Sequence, residues 1–166
     1  MQLKFHMKTV NSEVKMTTYT IQLVTQPTPP QLDRIMAIWL QGNLQAHDFI
    51  PADYWTGNVP LVRDQISKAT LWLVQDQRDH DIIAFCGLQD NYIAGFFVDE
   101  QARGRGVGAA LMAKLQQTYP KLTLAVYQKN IGAARFYRRH GFTLLKQDRD
   151  ETTGQLENVL VWQQPR

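Results

Sequence analysis

Arg103-Gly104-Arg105-Gly106-Val107-Gly108 joins the apolar run Tyr92-Ile93-Ala94-Gly95-Phe96-Phe97-Val98 to a stretch whose apolar residues, Val107, Ala110, Leu111 and Leu115, recur at helical spacing. The order strand, glycine-rich turn, helix decides the reading of the chain. Three glycines within five residues let successive backbone N–H groups converge on one point with no Cβ in the way. The helix that opens there adds its unpaired N–H groups and the positive end of its dipole. Arg103 and Arg105 bring charge beside it. The alternative is a merely flexible basic turn, but the position between strand and helix favours an anion cradle.

The charge around this turn is uneven. Gln101 to Gln147 holds nine of the eighteen Lys and Arg and none of the fifteen Asp and Glu, so it carries +9 and leaves −6 to the rest, within a net +3. A basic field centred on a glycine turn suits a multiply phosphorylated ligand.

The chain's 166 residues suffice for one domain with its own core, without disulfide or metal staples. Cys86, the single cysteine, lies in the apolar run Ile82-Ile83-Ala84-Phe85-Cys86 and reads as an inert buried thiol, which suits a reducing compartment. His6, His47, His80 and His140 lack metal-ligand spacing, so no metal is expected. No apolar stretch approaches the ~18 residues of a membrane span. Lys4, His6, Lys8 and Asn11 break up any signal-peptide core. Residues 1–17 are expected to form a flexible extension, 18–166 the domain, and the protein to be cytoplasmic.

Outward from the turn, Thr20 to Val24 alternates as a strand and is stopped by Pro27, Pro29 and Pro30. Gln31 to about Leu44 has helical periodicity, and His47 to Pro51 forms a loop. One second helical stretch, interrupted by Gly57 and Pro60, runs to Lys68. Leu71–Val74, Ile82–Leu88 and Tyr92–Val98 are strands. The helix after the glycine turn ends at Pro120, and Leu122–Val126 is a strand. Ile131–His140 is a helix with Asn130 as N-cap and Gly141 as its stop. Phe142–Lys146 and Leu156–Trp162 close the chain as a strand pair. The order β-α-α-β-β-β-α-β-α-β-β predicts a single α/β (α+β) domain, a mixed, mostly antiparallel sheet flanked by helices.

Two familiar phosphate motifs fail here. Gly104-x-Gly106-x-x-Ala109 formally matches the dinucleotide fingerprint, but no acidic residue follows about 20 positions on to hold a ribose. A nucleoside-triphosphate loop needs Gly-Lys-Ser/Thr, and Gly108 is followed by Ala109-Ala110. The pattern R-x-x-G-x-G at Arg103, Gly106 and Gly108 instead resembles the acetyl-coenzyme-A signature of the GNAT superfamily of N-acetyltransferases. Asn130, Ala133, Phe136-Tyr137 and Gly141-Phe142 are similar to that superfamily's N-x-x-A-x-x-F-Y-x-x-x-G-F segment. The resemblance spans Tyr19 to Trp162. Phe49-Ile50, Tyr54-Trp55, Pro60 to Asp64 and Leu124 to Asn130 are similar to a bacterial subgroup that includes presumed protein-lysine acetyltransferases.

The resemblance implies direct attack of a primary amine (of a protein lysine, an N-terminus or a small molecule) on the thioester of acetyl-CoA. It implies that Gly104, Arg105, Gly106, Val107, Gly108 and Ala109, with Arg103, hold the pyrophosphate. The pantetheine would run along Phe96, Phe97 and Val98, on a strand splayed from Leu122–Val126, with Asn130 bonding its arm. The Val98 N–H would serve the oxyanion and Tyr137 would protonate the leaving thiolate. Many relatives carry Glu five residues before Asn130, where this chain has Ala125. The base is therefore open among His47, Asp48, Glu100 and water. His47, Phe49, Tyr54 and Trp55 would line the acceptor pocket, although Phe49 and Trp55 could equally anchor the loop to the core. Ala125 leaves a second reading, a non-catalytic acyl-CoA-binding sensor. No nucleic-acid motif is present, and neither a nucleic-acid nor a membrane partner is expected. The state is expected to be monomer or homodimer.

Overall fold

The structure is a computed structural model that describes residues 18–166. The extension expected at 1–17 lies outside the described residues. Strand β1 (Tyr19–Val24) leads to helices α1 (Pro29–Ala46), α2 (Ala52–Gly57) and α3 (Val59–Lys68). Strands β2 (Thr70–Asp76), β3 (Ile82–Gln89) and β4 (Tyr92–Val98) follow. A 3₁₀ turn, Glu100–Ala102, precedes α4 (Val107–Thr118), β5 (Lys121–Tyr127), α5 (Ile131–Arg139), β6 (Thr143–Arg149) and β7 (Leu156–Gln163).

The second helical stretch is two helices rather than one. Asn58 ends α2 and starts α3, and its Nδ2 donates to the Tyr54 carbonyl at 2.6 Å. Pro60, near the start of α3, has no N–H to continue the α2 ladder, so a second helix begins there. Helix α1 is capped by Thr28 and Gln31, which bond each other's backbone N–H groups at 3.3 and 2.9 Å.

The seven strands lie in the order β1-β2-β3-β4-β5-β7-β6, and only the β4–β5 pair is parallel. The central strands are buried on both faces. Leu71 and Leu73 of β2 pack with Ile35, Ile38 and Ile66 on the α1–α3 side. Trp72 and Val74 pack with Leu111, Met112 and Leu115 of α4 on the other. Strands β4 and β5 pair only at Tyr92↔Thr123 and Ile93↔Leu124. The β3–β4 register jumps there from Leu88↔Ile93 to Gly87↔Gly95, leaving Ala94 as an extra residue. A bulge of this kind bends its strand and ends pairing on the far side. The sheet splits open from that point.

Leu111 is fully buried under the split sheet. Leu111→Ala is expected to lower stability by about 2–5 kcal/mol in denaturant unfolding, with the fold otherwise retained. A loss below about 1 kcal/mol would contradict this packing.

Candidate active site

Antiparallel ladders bond alternate residues, so the register fixes which amides of β4 are spoken for. The Asp99 N–H donates to the Ile83 carbonyl at 2.8 Å. With Val98 opposite Ala84 and Phe96 opposite Cys86, residues 95, 97 and 99 turn their amides toward β3. The N–H groups of Phe96 and Val98 therefore face the side that β5 has left. The gap is a cleft of about 730 Å³ walled by β4, β5, the end of α1 and the start of α5. The Phe97 side chain stacks on Phe85 at 5.5 Å on the α1 face, and its amide stays with β3.

The glycine turn closes one end of this cleft. Gly104 and Gly106 have φ of 79° and 74°, and no atom lies within 4 Å of where a Cβ would sit at either position. Both need the left-handed backbone region, and both leave the outer surface of the turn open. Gly106 is the N-cap of α4 and offers no side-chain cap, so the first-turn amides of Val107, Gly108 and Ala109 stay available. At Gly108 a Cβ would meet Val98 Cγ2 at 3.3 Å, so any larger residue would press on β4 and glycine gives the closest start of α4. These features fit a pyrophosphate.

The two arginines differ. Arg103 lines the cleft, tied to Gln45 Oε1 at 3.2 Å. Arg105 turns away to Thr18 Oγ1 at 2.8 Å and Asp76 Oδ2 at 3.4 Å. Asp76 is buried, and Arg78, with smaller help from Arg105, holds its carboxyl far below the usual carboxylate range. The carboxylate anchors the turn and offsets one of its charges.

Across the cleft, Asn130 caps α5 by accepting from the Ala133 N–H at 3.2 Å. Its Nδ2 lies 3.0 Å from His47 Nε2, and His47 Nδ1 lies 3.0 Å from Asn43 Oδ1. Asn43 Nδ2 in turn donates to the Trp39 carbonyl at 3.0 Å. One proton arrangement satisfies all four contacts. His47 is neutral, donates from Nδ1 and accepts at Nε2. Burial lowers its pKa from 6.5 to about 4. The ring stacks on Trp55 at 5.4 Å and meets the edges of Tyr127 and Phe49 at 5.0 and 5.6 Å. His47 is thus a fixed link between α1 and α5, with both nitrogens engaged, rather than an exposed loop residue.

Tyr137, only 9% exposed, lines the cleft beside Phe96, Phe136 and Phe142. Burial, with a smaller contribution from Cys86, pushes its phenol well above the usual tyrosine value, so it stays protonated at neutral pH. Of the expected acceptor residues, His47 and Trp55 reach the cleft. Phe49 and Tyr54 lie behind them. The Phe49 ring carries Lys129 Nζ 5.4 Å from its centroid, and the Tyr54 hydroxyl bonds Thr152 Oγ1 at 2.9 Å. Trp55 is buried in the α1-side core, and its Nε1–H has no partner among the described residues. Of the other bases considered, Asp48 is exposed, and Glu100 accepts from Gln41 and Gln45 at 3.2 and 2.9 Å.

Cleft residues that the sequence does not single out include Asn43, Gln45, Tyr92 and Glu157. Glu157 becomes visible only through register, because β7 sets it directly opposite Tyr127.

A family described as "Acetyltransferase (GNAT) domain" matches residues 67–144. Peptidyl-lysine N-acetyltransferase YiaC of Escherichia coli K12 is 35% identical over 125 residues, 74% of this chain and 84% of that protein. The chain belongs to the GNAT acetyltransferase family. It is accordingly an acetyl-CoA-dependent N-acetyltransferase. Peptidyl-lysine N-acetyltransferase YjaB of Escherichia coli K12 is 34% identical over 110 residues, 66% of this chain and 74% of that protein. The solution structure of apo-form YjaB from Escherichia coli superposes with a TM-score of 0.75 at 27% identity, covering 88% of this chain and 99% of that one. The GNAT fold, with its mixed sheet and flanking helices, is the architecture expected from the sequence.

The unfolded chain takes up a proton on His47 between about pH 6.5 and 4 that the folded chain does not. Its contribution to stability is therefore lost as pH falls through that window. A ring-nitrogen NMR titration is expected to show His47 neutral, with the proton on Nδ1, down to about pH 5. A midpoint near the unperturbed value would contradict the buried link.

Proposed function

We propose that this GNAT enzyme acetylates the side-chain amine of lysine in a protein or peptide by direct attack on the thioester. The observation that carries the reading is the end of β4–β5 pairing after Ile93, which leaves the Phe96 and Val98 N–H groups facing a cleft that Tyr137 lines. The acceptor class is taken from YiaC and YjaB, both named peptidyl-lysine N-acetyltransferases.

Each residue then has a physical task. The amides of Gly104 to Ala109 hold the pyrophosphate, with Arg103 at the rim, while Arg105 anchors the turn through Asp76. The Phe96 carbonyl and N–H bind the pantetheine amides, and Asn130, already fixed by His47, borders the same arm. The Val98 N–H donates to the oxyanion, a contribution typically of about 3–4 kcal/mol. Tyr137 keeps its proton until a thiolate forms and then donates it. When bound, acetyl-CoA supplies an activated acyl group and a good leaving group. His47 and Trp55 form the apolar wall on the acceptor side. With one buried cysteine, the enzyme suits the cytoplasm, as monomer or homodimer.

Tyr137→Phe is expected to slow turnover of a lysine peptide about 100-fold with acetyl-CoA affinity nearly unchanged. Unchanged turnover would remove Tyr137 as the acid. Gly106→Glu should abolish acetyl-CoA binding in calorimetry, because it sets a carboxylate and a strained left-handed backbone in the cradle. Retained binding would refute the loop assignment.

A further inference from the structure

The lining of the cleft carries charges of both signs. Arg103 and the α4 amides make the glycine end positive. Against it the lining holds one carboxylate, Glu157, the only Asp or Glu among the described residues that line the cleft. Directly paired residues in a sheet share a face. Tyr127↔Glu157 and Ala125↔Val159 therefore put Glu157, Tyr127 and Ala125 on one side, and the parallel pair Tyr92↔Thr123 adds Tyr92. Ala125 lies between the Tyr92 and Glu157 rows, and its single methyl leaves the floor open for both longer side chains. Burial raises the Tyr92 phenol and the charge of Glu157 raises it further, so the two groups feel each other across that floor.

Glu157 is half-buried and forms no ion pair with any Lys or Arg among the described residues. The charges acting on it are those of Asp150 and Asp148 at the β6 end, and its neutral neighbours are Tyr127 of β5 and Tyr92 of β4. Beyond Tyr127 lie neutral His47, just past α1, and Phe49, whose ring holds the Lys129 ammonium. Burial first, then Asp150 and Asp148, hold its carboxyl above the usual glutamate value. An unpaired, half-buried carboxylate among like charges is complementary to a cation, and the acceptor of this reaction arrives as one. His47 cannot serve in its place, because its Nε2 lone pair already accepts from Asn130.

We propose that Glu157 receives the acceptor's ammonium and takes its proton before attack, so that the base comes from the last strand rather than from β5. This rests on the transferase reading above. One proton passes from nitrogen to a Glu157 oxygen and on to water. The freed lone pair forms the N–C bond at the thioester carbonyl, whose oxygen takes the charge, and the C–S bond breaks as the carbonyl re-forms. Tyr137 gives its proton to the departing sulfur and recovers one from the nitrogen. Amide and thiol remain, with one proton released to solvent.

The test compares wild type with E157Q on a lysine peptide and on trifluoroethylamine, an acceptor already deprotonated at neutral pH. Turnover of the peptide near neutral pH should fall about 100-fold, while trifluoroethylamine and acetyl-CoA affinity each stay within about threefold. The variant's rate on lysine should climb about tenfold per pH unit toward the amine's own pKa near 10.4. If E157Q fails to bind acetyl-CoA, E157A carries the same comparison. Equal losses on both acceptors, or no loss on either, overturn the role of Glu157. A wild-type protein that binds acetyl-CoA but acetylates neither amine overturns the transferase reading itself, and does so without reference to the variant.

Discussion

Two backbone N–H groups, those of Phe96 and Val98, sit in a strand with no neighbour to receive them, and the site is arranged around that deficit. One extra residue at Ala94 is enough to cause it, because it bends β4 away from β5 after two paired positions. An unpartnered amide seeks an acceptor, and a net hydrogen bond is worth about 1 kcal/mol to a ligand that supplies one. A pantetheine arm carries amide carbonyls at strand-like spacing, so it can complete the sheet where β5 withdraws. The alternation that frees residues 96 and 98 also withholds 97. Phe97 contributes packing against Phe85 instead.

The split demands support from outside the ladder, since the two halves of the sheet share few bonds beyond it. The chain Trp39–Asn43–His47–Asn130–Ala133 provides it, tying α1 to the N-terminus of α5 across the mouth of the cleft. Asn43, His47 and Asn130 each donate one bond and accept one within this chain, so the geometry of Asn130 follows from α1. At the glycine turn, Asp76 performs a comparable task by anchoring Arg105. The turn thus keeps its shape without placing both arginines at the ligand.

Much of this was legible in the sequence. The strand–turn–helix at 92–118 and the capped helix after Asn130 are local features, carried by glycine, proline and period, and they fall where the sequence puts them. The break at Asn58 was missed because Gly57 and Pro60 signal an interruption without saying whether a helix bends or restarts. The bulge at Ala94 and the place of Glu157 are matters of register between distant strands. No local pattern in Leu156-Glu157-Asn158-Val159 reveals which face meets Tyr127. Arg105 and His47 were read from residue type alone. Their partners, Asp76 and Asn43, follow from tertiary placement.

The central claim is that β4 presents alternate amides to the coenzyme, and amide hydrogen exchange with and without acetyl-CoA tests it directly. The Phe96 and Val98 amides should exchange fast in the free protein and slow on binding, together with those of Gly104 to Ala109. The Gly95 and Phe97 amides, bonded to β3, should be slow in both states. Protection of all four strand amides alike, or none at the glycine turn, would contradict the account.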